Sequence, residues 1–155
     1  MLISLKTKDD HIFKMQVKYA LQSKTIKSLF DWDDINNEEE ITDEITNEHI
    51  PLDIKLEILT KINMFLEKND TSEIDEQWNN NFIENINDDV LFEIILAANY
   101  LDIKDLLDLS CKKVADDIKK CKTPQEIRRR YNIKNDFTPE EEEEIRKEND
   151  WCEEC

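Results

Sequence analysis

The sequence predicts an α+β fold: a small β-hairpin at the N-terminus, then a succession of amphipathic helices. Three observations lead there. Residues 2–17 alternate apolar and polar, the period of a half-buried strand. From residue 53 onward apolar side chains recur at intervals of three and four, the period of a helix face. The 155 residues include no glycine. Helix stops and tight turns must then place Asn or Asp in the left-handed region. The same absence excludes the P-loop and the dinucleotide fingerprint, both of which need glycine.

The elements follow in order. Ile3 and Leu5 face one way, and after the polar turn KTKDD so do Phe13, Met15 and Val17, giving two strands in a hairpin. YALQSKTIKSLFDW (19–32) places Leu21, Ile26, Leu29 and Phe30 at helical spacing. Residues 31–48 carry nine acidic and no basic side chains and read as a solvated loop. HIPL (49–52) suits one more strand. Asp53 is placed to cap a helix with the stripe Ile54, Ile58, Ile62, Phe65 and Leu66. A polar linker covers 67–75, and Trp78 with Phe82 marks a short helix. Asn87 precedes the anionic first turn of a helix with the stripe Val90, Leu91, Ile94, Ile95, Ala98 and Leu101. Asp102 with Asp105 resembles a capping box for the next helix, whose stripe is Ile103, Leu106, Leu107, Cys111, Val114 and Ile118.

Two further helix starts share one pattern. Thr123-Pro124-Gln125-Glu126 and Thr138-Pro139-Glu140-Glu141 each put Thr at the cap, Pro at the first helical position and Glu at the third. The five glutamates after Pro139 lie where the helix dipole favours negative charge, so they open a helix. That helix has little core stripe. Ile145 and Cys152 share a face and Trp151 lies to one side. A packed Trp buries roughly 150–250 Å². Either Trp151 folds back on the domain or it belongs to a docking arm.

The composition narrows the chemistry. A net charge of −17 disfavours nucleic acid and anionic membranes as partners. No apolar run reaches 18 residues and no long apolar signal core opens the chain, so a soluble, intracellular protein is expected. Cys152-Glu153-Glu154-Cys155 is a lone C-x-x-C pair without the second pair a zinc site needs. His11 and His49 have no nucleophile or acid at motif spacing. No catalytic residue, metal site or cofactor is expected, and the four cysteines are expected as free thiols. Arg128-Arg129-Arg130 is expected to pair with nearby glutamates.

Residues 91–155 carry long motifs: ILAANYLDIK, TPQEIR, NIKNDFT and RKENDWCEE. They closely resemble the Skp family, adaptors of Skp–cullin–F-box ubiquitin ligases. Toward the N-terminus the likeness rests on layout: SKTIKSL, an acidic loop, then HIPL. The resemblance implies a BTB/POZ domain over 1–121, with the acidic loop at 31–48, and a C-terminal helical extension over 122–155 that binds F-box motifs. It implies a non-catalytic adaptor of the cytoplasm and nucleus that bridges a cullin to F-box proteins. Asn99 and Tyr100 match cullin-contacting positions. Leu106, Leu107, Ile127, Phe137 and Trp151 map to the F-box surface. The free protein, with that surface uncovered, is expected to self-associate as a homodimer. Some protist members hydroxylate and glycosylate the proline of an FTPEE context, which Pro139 matches, although its place at the helix start already accounts for a proline. The other classes weighed are a stand-alone BTB regulatory or oligomerisation protein and an elongin-C-like adaptor. The two T-P-x-E helices after the core argue against the second.

Overall fold

The computed structural model describes residues 1–29, 49–70 and 76–152. The expected acidic loop at 31–48, with Phe30 and the end of the linker at 71–75, lies outside the described residues. Two strands, β1 (Leu2–Lys6) and β2 (Ile12–Gln16), precede the short helices α1 (Val17–Ala20) and α2 (Lys24–Leu29). Strand β3 (Ile50–Pro51) and helices α3 (Leu56–Asn69), α4 (Glu76–Glu84), α5 (Asp88–Tyr100) and α6 (Lys104–Lys120) follow. Helices α7 (Pro124–Arg130) and α8 (Pro139–Glu148) and a 3-10 turn (Asp150–Cys152) close the chain. Two compact units result, Met1–Ala115 and Asp116–Cys155.

In the first unit β1 pairs antiparallel with β2, with Ile3 opposite Met15, and parallel with β3, giving the order β2-β1-β3. The alternation sets the buried face: Ile3, Leu5 and Met15 are buried while their neighbours point outward. Ile3, Leu5 and Met15 share one core cluster with Ile58, Leu59, Ile62, Phe65 and Leu66 of α3, with Leu91, Ile94 and Ala98 of α5, and with Leu101 just after it. Burying each of the larger side chains contributes about 1.5–3 kcal/mol. Trp78 stacks on Phe82 at 5.0 Å between ring centres, fixing α4 as a short helix.

The structure corrects several sequence expectations. Residues 19–29 form two helices, and Leu21 and Leu29 are exposed. Ser23 is the cause. Its buried hydroxyl donates to the Leu101 carbonyl at 2.6 Å and accepts from the Ile26 N–H at 3.1 Å, capping α2. Helix α3 begins after Lys55, not Asp53, and its first N–H, on Leu56, donates to Asp9 in the hairpin turn at 3.0 Å. Asp53 pairs with Lys8 at 2.9 Å instead. Hydrogen bonds, chiefly from the Thr7 side chain and also from Leu56, hold the Asp9 carboxyl below its ordinary range. Its stabilising effect is therefore full at neutral pH and is lost as the pH falls through that lowered value. Asp9→Ala should lower the melting temperature at neutral pH, whereas Asp53→Ala should leave it nearly unchanged. Matched thermal melts decide between the two caps.

The absence of glycine shows in the turns. The described residues with positive φ are Asp10 (60°), Asp102 (50°) and Asn132 (51°). Asp102 is the left-handed stop of α5: Ile103 N–H reaches the Ala98 carbonyl at 2.9 Å and Asp102 N–H reaches Asn99 at 3.2 Å. It cannot also adopt the extended backbone of an N-cap, so the expected Asp102–Asp105 capping box is replaced by this stop, held by Lys24 at 3.1 Å. Asn132 ends α7 in the same way, with Ile133 N–H on the Arg128 carbonyl at 2.8 Å.

Helix α6 keeps most of the expected stripe, with Ile103 and Leu106 in the core and Leu107 and Val114 packed partly against it, and departs from it at Cys111 and Ile118. Ile103, Leu106 and Ser110 face the core of the first unit, while Cys111 is exposed. Ser110 tolerates burial because its hydroxyl donates to the Leu106 carbonyl at 2.7 Å. Farther along, Ile118 is exposed and Asp117 is buried.

In the second unit α7 and α8 bury no side chain. The α8 capping box is complete: Glu141 N–H donates to the Thr138 hydroxyl at 3.2 Å, and Thr138 N–H to the Glu141 carboxylate at 2.8 Å. At α7, Glu126 N–H donates to Thr123, but the Glu126 carboxylate accepts from Lys122 N–H, one residue earlier than expected. Arg128 pairs with Glu142 and Arg130 with Asp117, each at 2.9 Å, so the basic island serves the unit's own carboxylates.

Candidate interaction surfaces

Helix α5 has two apolar lines and one core to serve. Leu91, Ile94, Ala98 and Leu101 are buried. Phe92, Leu96 and Tyr100, each four residues after the last, are exposed by 39%, 69% and 46%. Asn99 lies on the same outward side. Beside this line a cleft of about 410 Å³ is floored by Ile54, Ile58, Leu96, Ala97 and Tyr100. Two ion pairs rim it, Lys8–Asp53 at 2.9 Å and Lys55–Glu93 at 2.6 Å. Asn99 and Tyr100 thus come together with Phe92 and Leu96, which the sequence reading passed over. The signal was present: apolar residues at i, i+4 and i+8 outside the core stripe.

The second unit exposes Ile133, Phe137, Ile145 and Trp151. Trp151 is 72% exposed, so in the free chain it does not fold back. Phe137 is held in place while still presenting a face. Its N–H donates to Asn135 at 3.2 Å, Asn135 donates to Glu142 at 2.9 Å, and the Arg128 guanidinium lies 5.9 Å from its ring centre. Ile127 is half-buried. Leu107, in the first unit, is also half-buried, but Leu106 is fully buried. Leu106 is therefore corrected from a contact residue to a core residue, because no atom of its side chain is available to a partner without unfolding. Pro139 is the exposed first residue of α8.

Among the described residues no three His, Cys, Asp or Glu side chains are grouped to hold a metal ion, and Cys111 and Cys121 are free. No described helix is long and apolar enough to cross a membrane. Exposed apolar lines presented on helices are the kind of surface at which proteins bind one another.

Comparison with known proteins identifies the family. The profile of the Skp1 family, dimerisation domain, matches residues 104–152. The chain is 41% identical to the SCF ubiquitin ligase complex protein SKP1a of Dictyostelium discoideum, over 98% of this chain and 96% of that protein. The SKP1b protein of the same organism matches equally. The SKP1-like protein 11 of Arabidopsis thaliana is 42% identical over 97% of this chain and 96% of its own length. The chain belongs to the Skp1 family, as the motifs of its C-terminal half imply.

Proposed function

We infer that this protein is the adaptor subunit of an SCF-type ubiquitin ligase, bridging a cullin to F-box substrate receptors without itself catalysing transfer. The observation that carries this is the match, over nearly the whole of both chains, to proteins named as SCF complex components. In this reading the first unit is the BTB/POZ part, and the α5 line of Phe92, Leu96, Asn99 and Tyr100 meets the cullin. The exposed Ile133, Phe137, Ile145 and Trp151, with Ile127 and Leu107, take the F-box. The protein works in the cytoplasm and nucleus. Affinity purification of the tagged full chain, with identification of what it retains, tests the role. A cullin together with several F-box proteins is expected, and recovery of neither overturns the reading.

Two subsidiary proposals follow. The uncovered apolar tail drives self-association of the free protein, which an F-box segment reverses. Sedimentation should show a concentration-dependent dimer, and a monomer at every concentration refutes it. Pro139 serves first as the helix-start residue of α8, and hydroxylation with glycosylation there is the alternative to be tested. Intact mass should show hydroxylated and glycosylated forms, and an unmodified residue under normal oxygen counts against it.

A further inference from the structure

Among the described residues of the second unit the one fully buried side chain is a carboxylate, placed where two helices meet. The Asp117 side chain is 4% exposed. Its Oδ2 accepts from Arg130 Nη2 at 2.9 Å, and its Oδ1 accepts from Lys120 Nζ at 3.0 Å. Lys120 lies on the same helix, whereas Arg130 ends α7, so the arginine contact joins two elements. Cys121 adds a sulfur contact to the Asp117 carbonyl at 3.5 Å. A second polar link continues the chain: Arg128 of α7 donates to Glu142 of α8 at 2.9 Å, and Glu142 also accepts from Asn135.

We propose that Asp117 is a positioning residue for the F-box surface: clamped by Arg130 and Lys120, it sets α7 against the end of α6, and α7 through Arg128 and Glu142 orients the apolar tail. This rests on the adaptor reading above. The physical ground is what else holds these helices. Neither α7 nor α8 fully buries a side chain, and Ile127 of α7 is only half-buried, so apolar burial, which is non-directional, leaves their orientation weakly fixed. Charge-assisted hydrogen bonds do have direction, and a buried pair that adds little net stability can still fix one arrangement, the role assigned to Asp117 here. With the clamp intact the docking side chains are presented in one arrangement. Without it α7 samples others, and apparent affinity falls in proportion to the competent fraction that is left.

The test uses the full chain and an F-box segment from a receptor it retains, with a cullin N-terminal segment as control. Asp117→Asn keeps the shape and removes the charge, and Arg130→Gln removes its partner. Each should weaken F-box binding about tenfold, as expected if the competent fraction drops to about a tenth. Cullin binding should not change. Amides of α7 should exchange hydrogen faster while those of α5 keep their rates. The double variant should be no weaker than either single, because both remove the same link. Arg130→Lys, which retains a charge at that point, should recover much of the affinity. A mere loss of folded protein would affect both partners and both helices. If Asp117→Asn does not fold, Arg130→Gln, altered at a partly exposed side chain, carries the test. Unchanged F-box affinity and α7 exchange in a folded variant, or additive losses in the double, overturn the proposal. Failure of the unaltered chain to bind any F-box segment overturns the adaptor reading instead, and α7 exchange then still decides the clamp.

Discussion

Trp151→Ala is expected to weaken F-box binding by about thirtyfold, or ~2 kcal/mol, and to leave cullin binding unchanged if the proposed division of surfaces holds. The size follows from the side chain: a large aromatic, 72% exposed in the free chain, has most of its surface available for burial in a complex. The selectivity follows from its position in the 3-10 turn after α8, whereas the proposed cullin line lies on α5. Its exposure means that truncation removes little packing from the free protein, so the melting temperature should stay within a degree or so of the parent. Titration against a purified F-box segment and against a cullin N-terminal segment gives both numbers. Equal weakening toward the two partners in a folded variant would show that the tail is not a separate surface.

Leu96→Asp is expected to show the opposite profile and the larger magnitude. Leu96 is the most exposed of the α5 line and also lines the cleft. A carboxylate there is solvated in the free protein but becomes an unpaired charge once a partner covers it. Cullin binding should fall by about a hundredfold (~2.7 kcal/mol), with F-box affinity retained. The paired variant Asn99→Ala with Tyr100→Ala should act in the same direction. The Tyr100 carbonyl, which accepts the Thr25 hydroxyl at 2.7 Å, survives that change, so this contact between α2 and α5 does not confuse the result. Retained cullin affinity in folded Leu96→Asp would remove α5 from the interface. Combining Leu96→Asp with Trp151→Ala should give both losses at once, since the residues lie on different elements.

Most of the local structure was legible in the residue order. Thr123 and Thr138 cap the helices they were expected to cap, because a cap acts within a single turn and its hydroxyl needs only the N–H three residues on. The hairpin followed from the period-two alternation. A chain without glycine had to use Asp10, Asp102 and Asn132 at its left-handed positions. The C-terminal motifs sufficed to indicate the family.

The tertiary structure decided whatever depends on groups distant in sequence. Asp9 caps α3 across 47 residues, and Ser23 splits a helix because Leu101, 78 residues away, supplies an acceptor. Counting apolar residues correctly placed four of the six expected α6 positions on the core but missed the buried Ser110 and Asp117, which could be covered once their hydrogen bonds were satisfied. The same distinction separates Leu106, in the core, from Leu107, half-buried beside it. It also decides that Trp151 stands in solvent. Propensity and capping energies act within three or four residues and can be read along the chain. Which face is covered, and which polar group finds a partner, is settled only when distant segments meet, because an unsatisfied buried group costs more than any local preference supplies.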